Sequence, residues 1–336
     1  MKNKKYIRKK AKVYTAESLI EGIKSGNFTA LSKAITLCES KKPSDRDMAS
    51  TIVSACMQIE NNSIRIGITG VPGVGKSSFI ESFGLHLIQA EGKKVAVLAI
   101  DPSSERTKGS ILGDKTRMNK LSIHPNAFIR PSPTSGSLGG VAHSSRESIL
   151  LCEAAGFDVV IVETVGVGQS ETEVRQMTDF FLLLMLAGAG DELQGIKRGI
   201  MEMADGLLIN KADGDNLKAA QLAMREYRNA LHLFPKAKSG WTTQVGLCSA
   251  LENTNMDVAW NMISAYEKHS KSNGYFLTNR KDQLDSWFQK SIEEILHQKL
   301  FENEKIKADY HFFSNKVISG SLSPYDAAKQ LLDGFL

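Results

Sequence analysis

The residues with the clearest chemical meaning are Gly70, Val71, Pro72, Gly73, Val74, Gly75, Lys76 and Ser77, which fit the pattern G-x-x-x-x-G-K-[ST]. A loop of this composition turns successive backbone N–H groups inward around a polyphosphate. The helix that follows aims its positive end at the same anion. Lys76 adds a point charge for the β and γ phosphates, Ser77 offers a hydroxyl to Mg²⁺, and Ser78 completes the set at the helix start. A glycine turn that fits by chance is the plain alternative. An apolar run before the loop and a helix-like run after it favour a nucleotide.

The base is addressed further on. Asn210, Lys211, Ala212 and Asp213 end another apolar run in the order N-K-x-D. A carboxylate there can accept from both the ring N1–H and the exocyclic amine of guanine. Adenine has no N1 donor and would leave it unpaired, so discrimination is large. The aliphatic stem of Lys211 can cover the ring. Ser249, Ala250 and Leu251 follow the next apolar run, where their backbone donors can meet the guanine oxygen. The combination predicts GTP and GDP as ligands.

Acids supply the third component. Glu163 closes the run Val159–Val162 and precedes Thr164, Val165, Gly166 and Gln169. A carboxylate at a strand end beside a phosphate loop stands near Mg²⁺. A glycine just beyond it bonds the γ-phosphate and moves after hydrolysis. Asp101 ends the second apolar run and Asp114 lies in "GSILGDKTRM". Both join Ser77 and Glu163 as candidates for the metal sphere, against the bland reading of helix caps and turns. Lys76, Glu163 and Asp101 form the expected catalytic set.

Positioning such groups takes a parallel sheet with crossover helices, and the chain has its pattern. Short apolar runs at 64–69, 94–100, 127–130, 159–162, 180–186, 206–209 and 245–248 alternate with helix-like stretches. Helical spacing fills 15–56 before them and the stretch beyond 251 after them. The expected fold is α/β, a P-loop NTPase of the SIMIBI type. Its expected parts are a basic tail and helical segment (1–60), a nucleotide domain (61–252) and a C-terminal helical region (253–336).

Bulk properties narrow the function. With 42% hydrophobic and 24% charged residues over 336 positions, the composition is that of an ordinary globular protein. Cys38, Cys56, Cys152 and Cys248 lie far apart, so reduced, buried thiols are expected, not a disulfide frame or a zinc site. The longest apolar stretch, 180–187, falls far short of the roughly 20 residues that span a bilayer. The first twelve residues carry seven basic side chains and no acid, without the apolar centre of a signal peptide. No basic patch with interleaved aromatics follows, so a nucleic-acid partner is not expected. A cytoplasmic location, without a membrane partner, fits best.

Taken together, the phosphate loop, "DPSS", "ILGDKTRM", "ETVGVGQSE" and "NKAD" resemble the G-protein chaperones of methylmalonyl-CoA mutase (MeaB/ArgK/MMAA type). The flanking stretches "ALSKAITLCES" and "SPYDAAKQLL" resemble that family as well. The resemblance covers about 15–336. It implies a slow GTPase that gates adenosylcobalamin delivery to an acyl-CoA mutase and protects or reactivates it. A homodimer built through C-terminal helices and contact with a cobalamin adenosyltransferase are implied too. So is a further mobile loop at 188–200, with Gln194, Lys197 and Arg198 as its polar residues, though a solvated loop explains those charges equally well. The stretch before Ser249 is less proline-rich than is usual in the family. Two other readings stay open at this point: a metal-insertion GTPase for nickel enzymes, and a GTP-dependent interaction module with negligible turnover. The first would need a His/Cys metal-holding motif, and the seven histidines are scattered.

Overall fold

The computed structural model describes residues 14–100, 118–132, 138–164, 170–188 and 198–333. The seven apolar runs form strands β1 (Ile64–Gly70), β2 (Val95–Ile100), β3 (Ala127–Ser132), β4 (Val159–Thr164), β5 (Phe180–Met185), β6 (Gly206–Ile209) and β7 (Gln244–Leu247). They build one sheet in the order β3-β2-β4-β1-β5-β6-β7, and every pairing is parallel. Each residue of β4, β5 and β6 is buried. That burial explains why these strands read as continuous apolar runs, since a parallel sheet covered on both faces has no solvent side to alternate toward.

The helices described are α1 (Ala16–Lys24), α2 (Phe28–Cys38), α3 (Pro43–Cys56), α4 (Lys76–Gln89), α5 (Asn119–Ser122), α6 (Leu138–Ala154), α7 (Ser170–Arg175), α8 (Arg198–Met203), α9 (Leu217–Leu231), α10 (Met256–Ser272), α11 (Tyr275–Glu302), α12 (Glu304–Ile318) and α13 (Pro324–Asp333). Local chemistry sets the first three boundaries. Thr15 and Ser18 form a capping box, Asn27 caps α2 through the N–H groups of Thr29 and Ala30, and Pro43 opens α3. These helices pack on α6, and a two-pronged ion pair of Arg46 with Glu147 (3.0 and 3.2 Å) crosses the contact.

The strands begin and end within a residue or two of the expected positions, with one informative difference. β4 continues through Glu163 and Thr164, because β1 and β2 lie on either side and both extend far enough to pair. Glu163 therefore stands inside the sheet edge, and Thr164, expected in a loop, is a strand residue.

The chain divides into two compact units, through Arg280 and from Lys281 onward. That division falls later than the boundary expected near 252. Ile263 and Tyr266 of α10 are fully buried in the first unit, where α10 packs on α4, β5, β6 and β7. Arg280 ties the start of α11 to the sheet, donating to Asp179 (2.9 and 2.7 Å) and to the Ser63 carbonyl (2.8 Å). Within the second unit, Leu284, Phe288, Ile292, Ile295 and Leu296 of α11 are exposed at spacings of three and four residues. All four cysteines are buried and free, and burial pushes their thiols up. Among the described residues no helix is long and apolar enough to cross a membrane.

Candidate functional site

The sheet order puts β1 at the centre, so the loop that leaves its C-terminal end emerges between the ends of β4 and β5. Two buried valines, Val71 and Val74, anchor the loop's apolar side. Gly73 and Gly75 take φ of +75° and +87°, a left-handed backbone that side chains disfavour. Gly75 is also the residue that caps α4. Gly73 and Gly75 are thus required by the turn, and α4 starts at Lys76 with its N-terminal N–H groups beside the loop.

Lys76 Nζ donates to the Gly70 carbonyl at 2.9 Å, which folds the side chain back along the loop. Burial holds its pKa below the ordinary lysine value, opposed by the carboxylates of Glu163 and Glu171. An ammonium in this position is poorly hydrated and gains strongly from an anionic ligand. Ser77 Oγ donates to Glu163 Oε1 at 3.2 Å, so the motif's hydroxyl and the β4 carboxylate face one another. Two hard oxygen donors at the mouth of a phosphate loop fit Mg²⁺ in donor type. Thr164 turns the other way, its Oγ1 donating to Thr69 Oγ1 at 2.8 Å in the buried interior.

The base end is held together by Asn210. Its Nδ2 donates to the Val74 carbonyl of the phosphate loop (2.8 Å), and its Oδ1 accepts the Ala250 N–H (3.0 Å). One amide therefore locks three separate loops to each other. Lys211 has a left-handed backbone (φ 58°), and its Nζ donates to the Gly73 carbonyl at 2.9 Å, laying its stem across the site. Asp213 accepts a short hydrogen bond from Ser249 Oγ. The expected backbone donors fare less evenly. The Ser249 N–H goes to the Thr254 carbonyl at 3.1 Å, and the Ala250 N–H is taken by Asn210. Of the three, the Leu251 N–H alone makes no hydrogen bond among the described residues. The Ser249 bond belongs to a local β-bridge between Ser249 and Thr254.

Gly75, Asn210, Lys211, Asp213, Ala250 and Leu251 line a common cavity of about 450 Å³, a size that suits a small-molecule ligand. Sequence elements some 175 residues apart, from Gly75 to Leu251, thus converge on one space. Asp101, Asp114, Val165, Gly166, Gln169, Gln194 and Lys197 lie outside the described residues, and Arg198 is placed only as the first residue of α8. Three residues near the site carried no expectation. Glu171 on α7 is fully buried and acts on Lys76; its signal was proximity to Glu163 in an acid-rich stretch. Glu81 and Lys120 also line the cavity, and nothing in their spacing marks them.

The sequence profile of "Methylmalonyl Co-A mutase-associated GTPase MeaB" matches residues 31–305. A curated Escherichia coli protein, "GTPase ArgK", is 47% identical over 316 residues, spanning 94% of this chain and 95% of its own length. The mouse "Methylmalonic aciduria type A homolog, mitochondrial" is 40% identical over 329 residues, spanning 95% of this chain and 79% of its own length. Among solved structures, "Crystal structure of LAO/AO transport system kinase" superposes with a TM-score of 0.76 at 39% identity, covering 97% of this chain and 99% of that one.

Proposed function

The chain belongs to the methylmalonyl-CoA mutase-associated GTPase family, and from that premise we propose that it hydrolyses GTP and uses the nucleotide state to regulate a cobalamin-dependent acyl-CoA mutase. One observation supports this reading above the others: the phosphate loop, the N-K-x-D stretch and the loop at Ser249 meet on a single cavity, tied by Asn210. In this reading the loop N–H groups and Lys76 hold the β and γ phosphates. Asp213 reads the guanine edge, and the Lys211 stem covers one ring face. Ser77 and Glu163, with Asp101 and Asp114, hold Mg²⁺. When bound, that ion offsets charge on the transferred phosphoryl group.

Glu163 lies one residue before the end of β4, so a change in its partners is felt first by the stretch 165–169 that follows. That stretch, and the segment from 188 to 200, whose last three residues are the start of α8, are the parts through which a mutase would sense the nucleotide. Gating of adenosylcobalamin delivery, protection of the mutase, contact with a cobalamin adenosyltransferase and pairing with a second copy complete the proposal.

The base reading is tested with Asp213→Asn. Xanthine carries a carbonyl where guanine has its amine, so the amide suits it better. GTP affinity is expected to fall by roughly a hundred-fold or more while xanthosine triphosphate gains. Isothermal titration with both nucleotides decides it, and unchanged affinity for the two would remove Asp213 from the base site. The mutase reading is tested separately, by measuring purified methylmalonyl-CoA mutase binding in GDP and in a non-hydrolysable GTP analogue. Equal affinity, or none, would sink it.

A further inference from the structure

Ser78, Glu81, Ser82 and Leu85 line the nucleotide cavity from one side. Their spacing of three and four residues makes them a single stripe of α4. Lys120 of α5 lines the same cavity, and two contacts fix its backbone there. Leu121 is fully buried against Gly84, where a Cβ would stand 2.7 Å from Leu121 Cδ2. The bare glycine is the notch that seats α5 on α4. The Glu81 carboxylate then accepts the Lys120 N–H at 2.7 Å. The backbone of Lys120 is held while its side chain is exposed. Its ammonium makes no hydrogen bond or ion pair among the described residues. Lys211, which lines the cavity too, has already committed its ammonium to Gly73.

We propose that Lys120 is a nucleotide-contacting residue whose side chain closes the cavity over the guanine face opposite the Lys211 stem. The proposal rests on the guanine-nucleotide reading above and adds a residue to it. Position along α4 argues for the base over the phosphates. Glu81, which holds Lys120, is five residues past Lys76, or about 7.5 Å along the helix from the end that faces the phosphate loop. A cation on an electron-rich ring face is attracted by the ring quadrupole, while its aliphatic stem excludes water from the same face. Glu81, with one carboxylate oxygen used by the Lys120 backbone, keeps the other for the ribose hydroxyls.

Titration calorimetry of guanosine, GMP and GDP against wild type, Lys120→Ala and Lys120→Arg tests this. The alanine variant is expected to weaken all three ligands by the same factor, roughly two- to five-fold for an exposed cation on a ring. Arginine is expected to keep most of the affinity, since a guanidinium also stacks on aromatic faces. Thermal melts of the three proteins should coincide, because the side chain is exposed. A loss confined to GMP and GDP would assign Lys120 to phosphate and overturn the proposal, as would no loss at all while wild type binds. A wild type that binds none of the three ligands would sink the guanine reading together with this one.

Discussion

At the scale of single residues, the Ser77–Glu163 contact is the most exacting feature of the site. Both groups are near the phosphate loop, one hydroxyl and one carboxylate, 3.2 Å apart. A glutamine at 163 keeps an acceptor for the Ser77 hydroxyl and the side-chain volume, so it isolates the charge. Glu163→Gln is therefore expected to fold normally and bind GDP nearly as well as wild type. GTP turnover should fall by about ten-fold or more, since less negative charge remains to hold Mg²⁺. Single-turnover assays across a magnesium titration check it, and normal turnover at low magnesium would reduce Glu163 to a buried strand residue that only accepts the Ser77 hydroxyl. The motifs themselves were legible in the sequence, because the loop, N-K-x-D and the acid after an apolar run are recognised by residue type and order. What escaped was bonding between motifs. No spacing reveals that Asn210 spends its amide on Val74 and Ala250, or that this leaves the Ala250 N–H unavailable to guanine.

At the scale of elements, α7 and α8 each follow a stretch expected to respond to nucleotide, and their far ends meet. Arg175, the last residue of α7, pairs with Asp205, two residues past α8, at 3.2 Å. Asp205 also accepts the Phe181 N–H at 2.9 Å. Burial pushes its carboxyl up to about 6, against the Arg175 charge and the Phe181 hydrogen bond, with Asp179 adding to the rise. A raised acid binds its proton more tightly in the folded state. Its contribution to stability is then complete below the ordinary aspartate value and is lost as pH rises through about 6. Asp205→Asn cannot titrate, so the variant should gain stability relative to wild type between pH 5 and pH 7. Urea unfolding at several pH values measures the difference, and a constant offset across the range would contradict it. The existence of the strands was readable from apolar runs bounded by polar turns. The seat of α5 on Gly84 was not, because four residues with one leucine carry no period and the partner lies 37 positions earlier.

At the scale of the whole molecule, the exposed stripe on α11 has its own prediction. Five large apolar side chains on one helical face, Phe288 the most exposed at 65%, form a surface that association with a second copy would cover. Phe288→Glu is expected to yield a monomer in light scattering at concentrations where wild type is dimeric, with GTP affinity unchanged. A wild type of monomer mass, or a variant of dimer mass, would exclude this stripe as the contact.

The sheet order also governs when the molecule can exist. β1 pairs with β4 and β5, so Ile64 waits for Val159 and Ile66 for Phe180. At a synthesis rate of roughly 5–20 residues per second, the first pairing becomes possible on the order of 5 to 20 seconds after Ile64 is made. The base loop at Ser249 comes later still. For that interval the ribosome holds out a strand whose Ile66 and Ile68 are destined to be fully buried. No nucleotide is there to help, since the cavity needs residues not yet translated. A protein whose proposed work is to guard another enzyme thus passes much of its own synthesis with its central strand unpaired.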